Sequence, residues 1–465
     1  MAKLVAIGDS LTQGSKSLAT SETGLSFPAM VADCLGLGPG DFTTPNFKGM
    51  GGLPFNLEWM ARQLEESYGG HINAFEWVAA TFKIGALLDD VEDYWERGKG
   101  ARPVPEQLYH NLGIWDYEVS DSYTTNARLC DAQIGEDKDE WVQPPSYGRL
   151  RIARRVLNPA RLDTRLDDTQ LDVARKIRER DGEIENLIVW LGANNVLGTV
   201  FTESVVETRE HSPGPGSKYT LWTKGAFAEE YEKLMAGIDA IDAKNVFVAN
   251  VPKVTILPIN RGVMMNGGGL PPGEKYYDFY PRAWMPKSAF DRNRERMLKK
   301  ADVEIIDARI DELNDVIEHE VSARAAAGKS WHMVDLCALV DGAAWYRNHG
   351  QPTLKLPEPI EDLDMRFLSF DEEGNRTRGG LVSLDGMHPT TCGYGLFAQA
   401  FVDVMRTVHP GIADVDFDWV RQMDSLVSAP PGTLRDIGRM MSILERHFHI
   451  SRWIVLSDEN GIRIR

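Results

Sequence analysis

The sequence has few cysteines and no long apolar run. Four cysteines occur in 465 residues, at positions 34, 130, 337 and 392, and none forms a CxxC pair or a zinc-type spacing with histidine. We therefore expect reduced, buried thiols and no metal. No apolar run approaches the roughly 18 residues of a membrane span, and the first residues lack the pattern of a secretory leader. These features predict a cytoplasmic protein with no membrane span.

Sequence motifs of several enzyme classes are also missing. There is no G-x-S-x-G elbow, no HExxH zinc motif, no P-loop and no G-x-G-x-x-G fingerprint.

Basic residues are outnumbered, with 51 lysines and arginines against 69 acidic residues and a formal net charge of −18. Because nucleic acids and anionic membranes bind clustered positive charge, neither is expected as a main partner.

Short apolar runs alternate with amphipathic segments along the chain. Buried parallel strands are predicted at residues 4–7, 187–191, 246–251 and 333–336, with a weaker candidate at 112–115. Helices are predicted at residues 54–69 and 301–328, where apolar residues recur every three or four positions. This alternation predicts a doubly wound α/β sheet with a functional site at the carboxyl ends of its strands.

Two segments between predicted elements are longer than simple connections need. Residues 50–108 have a helical pattern and predict a helical insertion. Residues 260–287 are rich in glycine, proline and aromatics and are either a lid loop over the site or an ordinary surface loop. If they form a lid, Tyr280 and Trp284 are candidate substrate contacts.

The end of the chain, residues 416–465, predicts a C-terminal appendage. An amphipathic helix in LRDIGRMMSILERHF is followed by a hairpin in WIVLSDENGIRIR, with Asn460-Gly461 at its turn. Two interpretations remain open for this appendage: a small addition to the domain, or a contact that makes a homo-oligomer.

A serine lies directly after the first predicted strand, in MAKLVAIGDSLTQG. The hydroxyl of Ser10 is a poor nucleophile unless a base, a group that orients the base and oxyanion donors accompany it. Taken alone, Ser10 is more simply interpreted as the cap of a helix.

The accompanying groups have candidates elsewhere in the chain. In GGLVSLDGMHPTTCGYG, the three-residue spacing of Asp385 and His388 brings both side chains to one face. The aspartate would accept the imidazole Nδ1–H and leave Nε2 to take the serine proton. The alternative is a capping aspartate beside an exposed histidine. In LIVWLGANNVLG, Asn194 follows an apolar run and is either an oxyanion donor or part of a helix cap or Asx-turn.

Together, the blocks GDSLTQG, GANN and DGMHP resemble those of the GDSL, or SGNH, hydrolase superfamily. The resemblance implies Ser10 as nucleophile, His388 as general base and Asp385 as the group that orients it. It implies that Asn194 and the backbone N–H of Ser10 form the oxyanion hole. Asp9, in the first block, is a further candidate substrate contact.

The same resemblance implies a fold and one more block. The fold is a three-layer α/β/α flavodoxin-like domain over residues 1–415. The block is an asparagine with a glycine five residues later, whose N–H completes the oxyanion hole. Asn111 is followed by Asp116 and Asn46 by Gly51. We favour Asp116, because the residues after Asn111 fit a strand, and keep Gly51 as the alternative.

Asp116 is a departure from the family pattern. A backbone N–H does not require glycine, but a carboxylate repels an oxyanion unless it points away or is protonated.

The resemblance as a whole predicts a serine acyl hydrolase that cleaves small-molecule carboxylic esters without a cofactor. The alternative is a catalytically weak binding or scaffold protein on the same fold.

Overall fold

The computed structural model describes residues 1–38, 40–135, 143–208, 219–283 and 297–448. The strands of this part of the chain are β1 (Ala2–Gly8), β2 (Ala19–Thr20), β3 (Leu53–Pro54), β4 (Ile184–Trp190), β5 (Asn245–Ala249), β6 (Phe279–Tyr280), β7 (Leu298–Lys299), β8 (Trp331–Val334), β9 (Ser369–Phe370) and β10 (Arg376–Arg378).

Helices account for most of the remaining regular structure. They are α1 (Ser10–Gln13), α2 (Phe27–Cys34), α3 (Leu57–Tyr68), α4 (Glu76–Glu96), α5 (Asp121–Thr124), α6 (Ala127–Ile134), α7 (Gly148–Leu157), α8 (Gln170–Asp181), α9 (Asn194–Thr202), α10 (Lys224–Asp239), α11 (Lys300–Ala326), α12 (Leu336–Ala343), α13 (Thr391–Met405), α14 (Phe417–Met423), α15 (Ser425–Ser428) and α16 (Ile437–Phe448).

A four-stranded parallel sheet forms the centre, in the order β1-β4-β5-β8. Each strand overlaps one of the four predicted apolar runs, so the presence of these strands is confirmed, although β8 begins and ends two residues before the predicted run 333–336. Alternate side chains point to opposite faces of a sheet. On one face, Val5 and Val189 pack in a cluster with residues of α8, α10 and α11. On the other, Leu4 and Ile188 pack with residues of α2, α12 and α13. Helices therefore flank both faces, and the α/β class is confirmed.

The weaker strand prediction, residues 112–115, is wrong. The backbone there runs parallel to β1: the Leu112 N–H donates to the Ala6 carbonyl at 2.8 Å, and the Ile114 N–H donates to the Gly8 carbonyl at 3.1 Å. A single bridge, between Ala6 and Asn111, is formed. The Leu112 carbonyl accepts from the Gln170 side chain at 2.6 Å, so a side chain and not β1 supplies its hydrogen bond.

The segment 50–108 contains α3 and α4, and the appendage contains α14, α15 and α16. The predicted helix in the appendage is α16, and its apolar residues Ile437, Met440 and Leu444 are buried. Arg439 of this helix lies over the Trp77 ring of α4, 4.8 Å from its centroid. The apolar face of α16 is thus used within the chain. The hairpin predicted at residues 453–465 lies outside the described residues, and the homo-oligomer stays a prediction.

None of the helices in the described part of the chain combines the length and hydrophobicity needed to cross a membrane. The four cysteines are buried and not joined in disulfides.

Candidate active site

Ser10 lies in the turn between β1 and α1. The Asp9 side chain accepts the Leu11 N–H at 2.9 Å, so Asp9 caps α1 and the capping interpretation of Ser10 is wrong. The turn requires glycine before it, because a Cβ on Gly8 would lie 2.7 Å from the Trp190 carbonyl oxygen. Ser10 is the first residue of α1, where a backbone N–H has no acceptor within the helix.

Ser10, His388 and Asp385 form a continuous hydrogen-bonded chain. The Ser10 Oγ lies 3.0 Å from His388 Nε2, and His388 Nδ1 lies 2.8 Å from Asp385 Oδ2. All three side chains are buried. With the Nδ1 proton donated to the carboxylate, Nε2 is placed to accept the serine proton. The structure thus brings together the three residues that the motifs predicted, although 378 positions separate Ser10 from His388.

Three backbone N–H groups hold the Asp385 carboxylate. One oxygen accepts from Met387 at 2.8 Å and from His388 at 2.9 Å, and the other accepts from Leu18 at 2.7 Å. Burial raises the pKa of Asp385, but the charge of His388 and these hydrogen bonds outweigh it, and the pKa lies below its ordinary value. Asp385 is therefore a carboxylate at neutral pH. The contribution of Leu18 was not visible in the sequence.

The histidine loop is supported from behind by the chain after β5. The Ile259 N–H donates to the Gly386 carbonyl at 3.0 Å. Gly386 has φ 72°, and a Cβ there would lie 2.8 Å from the Ile259 backbone. Only glycine combines this left-handed conformation with this close approach.

Two further residues of the site were missed from the sequence. The Trp115 ring lies over His388, with centroids 4.9 Å apart and planes inclined by 37°. The Trp115 backbone N–H donates to Gln13 Oε1 at 3.0 Å, which ties residues 111–115, the edge segment beside β1, to α1. Gln13 belongs to the GDSLTQG block, and its place in that block could have identified it as a residue of the site. Nothing in the local sequence links Trp115 to a histidine 273 positions later.

Asn194 is the first residue of α9 and not its cap, which is Ala193. Its Nδ2 donates to the Tyr117 carbonyl at 2.9 Å and lies 3.5 Å from Asp9 Oδ2. Asn194 also lines the same pocket as Ser10. Its amide is therefore placed beside the serine, held by the loop that follows the edge segment.

Of the two candidates for the last oxyanion donor, Asp116 lies in the loop whose Tyr117 carbonyl holds the Asn194 amide. Asp116 immediately precedes Tyr117 and has φ 58°, the left-handed conformation that a glycine adopts readily. Its charge also acts on the carboxyl of Asp9. Gly51 instead lies in the turn before β3, where its carbonyl accepts from the Asn56 side chain at 2.8 Å. Neither Gly51 nor Asp116 is part of the pocket lining at Ser10.

Asp9 is a buried carboxyl with an unusual titration. Burial raises its pKa to about 7, against the lowering effects of the Leu11 N–H and His388, and Asp116 raises it further. The Asp9 carboxyl thus changes charge near neutral pH, a few ångströms from the Asn194 amide.

Replacing Asp9 by asparagine is expected to change how stability depends on pH. The folded state holds the proton up to about pH 7, whereas the unfolded chain loses it near 3.8. The stability that this group contributes is therefore complete below about pH 4 and is lost as pH rises through 7. Asparagine still caps α1 but does not titrate. The difference in unfolding free energy between Asp9→Asn and wild type should therefore shift by about 2–3 kcal/mol in favour of the variant when the pH rises from 5 to 8.

Urea unfolding at the two pH values measures this gain. Asp416→Asn is the matched control, because Asp416 caps α14 through the Trp419 N–H and is exposed. A difference between wild type and Asp9→Asn that does not vary with pH would contradict the titration of Asp9.

The pocket beside Ser10 is predominantly apolar. Its empty space, including the open mouth, is about 790 Å³. Next to Asp9, Ser10, Asn194 and His388, its wall consists largely of aliphatic and aromatic side chains, among them Leu11, Leu197, Val254, Leu257, Leu339, Val340, Met365, Leu381, Val382, Leu396 and Phe397. This wall suits a hydrocarbon group.

The predicted aromatic contact Tyr280 lies elsewhere. Tyr280 is buried, its hydroxyl accepts the Tyr277 N–H at 2.9 Å, and the two rings pack edge to face. It belongs to a small cluster within its own loop and does not line the pocket at Ser10. Trp284 lies outside the described residues.

No protein-family model matches the chain, and no curated protein matches it in sequence.

Proposed function

We propose that this chain is a serine acyl hydrolase of the GDSL, or SGNH, type. The observation that carries the proposal is the Ser10–His388–Asp385 hydrogen-bonded chain, at 3.0 and 2.8 Å, at the wall of an apolar pocket. A flavodoxin-like fold is part of the proposal. The edge segment, β1, β4, β5 and β8 are the second, first, third, fourth and fifth in chain order, which corresponds to the 2-1-3-4-5 arrangement.

The reaction follows from the roles of the three residues. The Ser10 oxygen forms a bond to the ester carbonyl carbon while its proton passes to His388 Nε2, and the carbonyl electron pair becomes the oxyanion. The intermediate collapses, the C–O bond to the alcohol breaks, and His388 returns the proton to the leaving oxygen. Water then repeats both steps on the acyl-enzyme and releases the acid. Asp385 keeps the imidazole in the required tautomer and stabilises its charged form.

The oxyanion donors in this proposal are the Ser10 N–H and the Asn194 amide, with the backbone of Asp116 as the third. Each preorganised donor contributes a factor on the order of a hundred or more to the rate. The Asp9 carboxyl lies 3.5 Å from the Asn194 amide, so the charge of Asp9 affects this oxyanion donor.

The apolar pocket predicts a dependence on acyl length. Each methylene moved from water into an apolar wall contributes about 0.8 kcal/mol, or about fourfold. For p-nitrophenyl esters, kcat/KM should therefore rise about fourfold per methylene from acetyl to hexanoyl. Steady-state rates over this series test it, with alkyl acetates of increasing alcohol length as the comparison. A flat acyl series together with a rising alcohol series would contradict placement of the acyl chain in this pocket.

A second candidate function, a catalytically weak binding or scaffold protein, is favoured by Asp116. A carboxylate in the oxyanion loop opposes the charge that develops on the substrate oxygen. Ligand binding that is equal in wild type and Ser10→Ala, without turnover of any ester in either, would support this function.

Replacing Asp116 by glycine separates the two functions. Glycine keeps the left-handed conformation and removes the charge, so the hydrolase proposal expects kcat to rise about tenfold. Asp116→Asn is the matched control, because asparagine also tolerates φ 58° and removes the charge while keeping the side-chain volume. A fall in kcat with both variants would show that the carboxyl supports catalysis instead of opposing it.

A further inference from the structure

A second pocket lies at the carboxyl end of α7, away from the site described above. Five arginines contribute to its lining: Arg102, Arg151, Arg154, Arg155 and Arg161. We call it the arginine pocket. It shares no lining residue with the pocket at Ser10. Its empty space, including the open mouth, is about 320 Å³, less than half that of the pocket at Ser10. Such a concentration of positive charge is unusual in a chain of net charge −18.

Two of these arginines are paired with carboxylates. An Arg151 Nη lies 3.4 Å from Glu96 Oε1, and an Arg154 Nη lies 2.7 Å from Asp131 Oδ1. Arg151 is buried and its Nε donates to the Ser146 carbonyl at 2.8 Å, so it forms a fixed floor. These two pairs have the ordinary appearance of structural ion pairs.

The other three arginines have no carboxylate partner within the part of the chain that the structure describes. Arg155 donates to the carbonyl of Gly100, and Arg161 donates to the carbonyl of Ala101. Both contacts use one terminal nitrogen of a guanidinium that has five N–H donors. Arg102 follows in the same short loop and is exposed. The pocket therefore has three more positive charges than carboxylates to balance them.

A purely structural role does not account for this excess. The last turn of α7 carries partial negative charge, which favours Arg154 and Arg155 there, but a helix end amounts to only about half a charge. Arg155 also packs over the Trp95 ring, 5.7 Å from its centroid. Burial lowers the pKa of Arg155 and of Arg161, and the charge of Arg154 lowers both further. These guanidinium groups repel one another, and an anion bound between them would relieve that repulsion.

We propose that the arginine pocket binds the phosphoryl group of a phosphorylated small molecule or lipid. Guanidinium groups match phosphate geometry with paired N–H donors, and several of them together neutralise a doubly charged group that a single ion pair cannot. The group is held by charge and by directed donors, without any part of the Ser10 site.

Isothermal titration calorimetry with inorganic phosphate tests the proposal, with ionic strength held constant by sodium chloride. A second arm measures co-sedimentation with phosphatidylcholine vesicles that contain phosphatidic acid, against phosphatidylcholine alone. The variants are the exposed-site substitution Arg161→Gln, the double substitution R155Q/R161Q and the charge-conserving Arg155→Lys. Arg178→Gln is the matched control, because Arg178 is a partly exposed arginine of α8 paired with Asp242. Ser10→Ala is the control for the active site.

Saturable phosphate binding is expected in wild type, Arg178→Gln and Ser10→Ala. It should weaken severalfold in Arg161→Gln and at least about tenfold in R155Q/R161Q. Vesicle binding with the same dependence on these arginines, without binding of free phosphate, would also support the pocket and assign the phosphoryl group to a lipid. Absence of both, or binding that R155Q/R161Q leaves unchanged while its fold is intact, would overturn the proposal.

Discussion

Ser10→Ala is expected to lower kcat for ester hydrolysis by a factor on the order of 10⁴–10⁶. The substitution removes the only atom that bonds to the acyl group, while the oxyanion donors and the apolar pocket remain. KM should therefore change much less than kcat. Steady-state kinetics with a p-nitrophenyl ester that the wild type turns over measures both parameters.

The matched control for this result is Ser67→Ala. Ser67 is an exposed serine of α3 whose hydroxyl donates to the Gln63 carbonyl at 2.9 Å. Its loss should leave kcat and KM unchanged. Equal activity of Ser10→Ala and wild type would rule out the serine mechanism, whatever the geometry of the three residues.

Asp385→Asn has the second largest expected effect, a fall in kcat of about 10⁴-fold. An asparagine carbonyl and amide cannot together accept the Nδ1–H of His388 and the three backbone N–H groups that the carboxylate accepts now. The imidazole then loses the tautomer in which Nε2 accepts the serine proton. Because the triad acts as a unit, S10A/D385N should be no less active than Ser10→Ala alone.

The control for this substitution is Asp335→Asn, which replaces an exposed aspartate that caps α12. It should retain wild-type kinetics. If the double variant were slower than Ser10→Ala by the full factor seen for Asp385→Asn, the two residues would act independently, and the hydrogen-bonded chain would not be the catalytic unit.

Much of the fold could be predicted because the central strands are buried on both faces. Residues 4–7 of β1 and 246–249 of β5 are apolar at every position, and the amphipathic period of α11 is long enough to be unambiguous. The edge segment after Asn111 was misjudged for a physical reason. It is apolar like a strand, but its Leu112 carbonyl accepts from the distant Gln170 side chain, a contact that no local pattern indicates.

The candidate site was predictable only where its chemistry lies in short blocks. Asp385 and His388 are three residues apart, and the strand before Ser10 indicates its position. Contacts between distant positions leave no local pattern: the Leu18 N–H on Asp385 spans 367 positions. Composition could not decide the place of Tyr280 either, because an aromatic ring in a loop packs equally well on a substrate or on its neighbours.

The most direct test of the central claim is labelling with a fluorophosphonate probe, followed by peptide mass spectrometry. The account predicts phosphonylation of Ser10 in the wild type, its loss in His388→Ala, and unchanged labelling in Ser67→Ala. These outcomes would mean that the Ser10 hydroxyl is activated by the histidine that lies 3.0 Å away. Absence of label at Ser10 in a folded protein, or labelling that survives His388→Ala undiminished, would contradict the account.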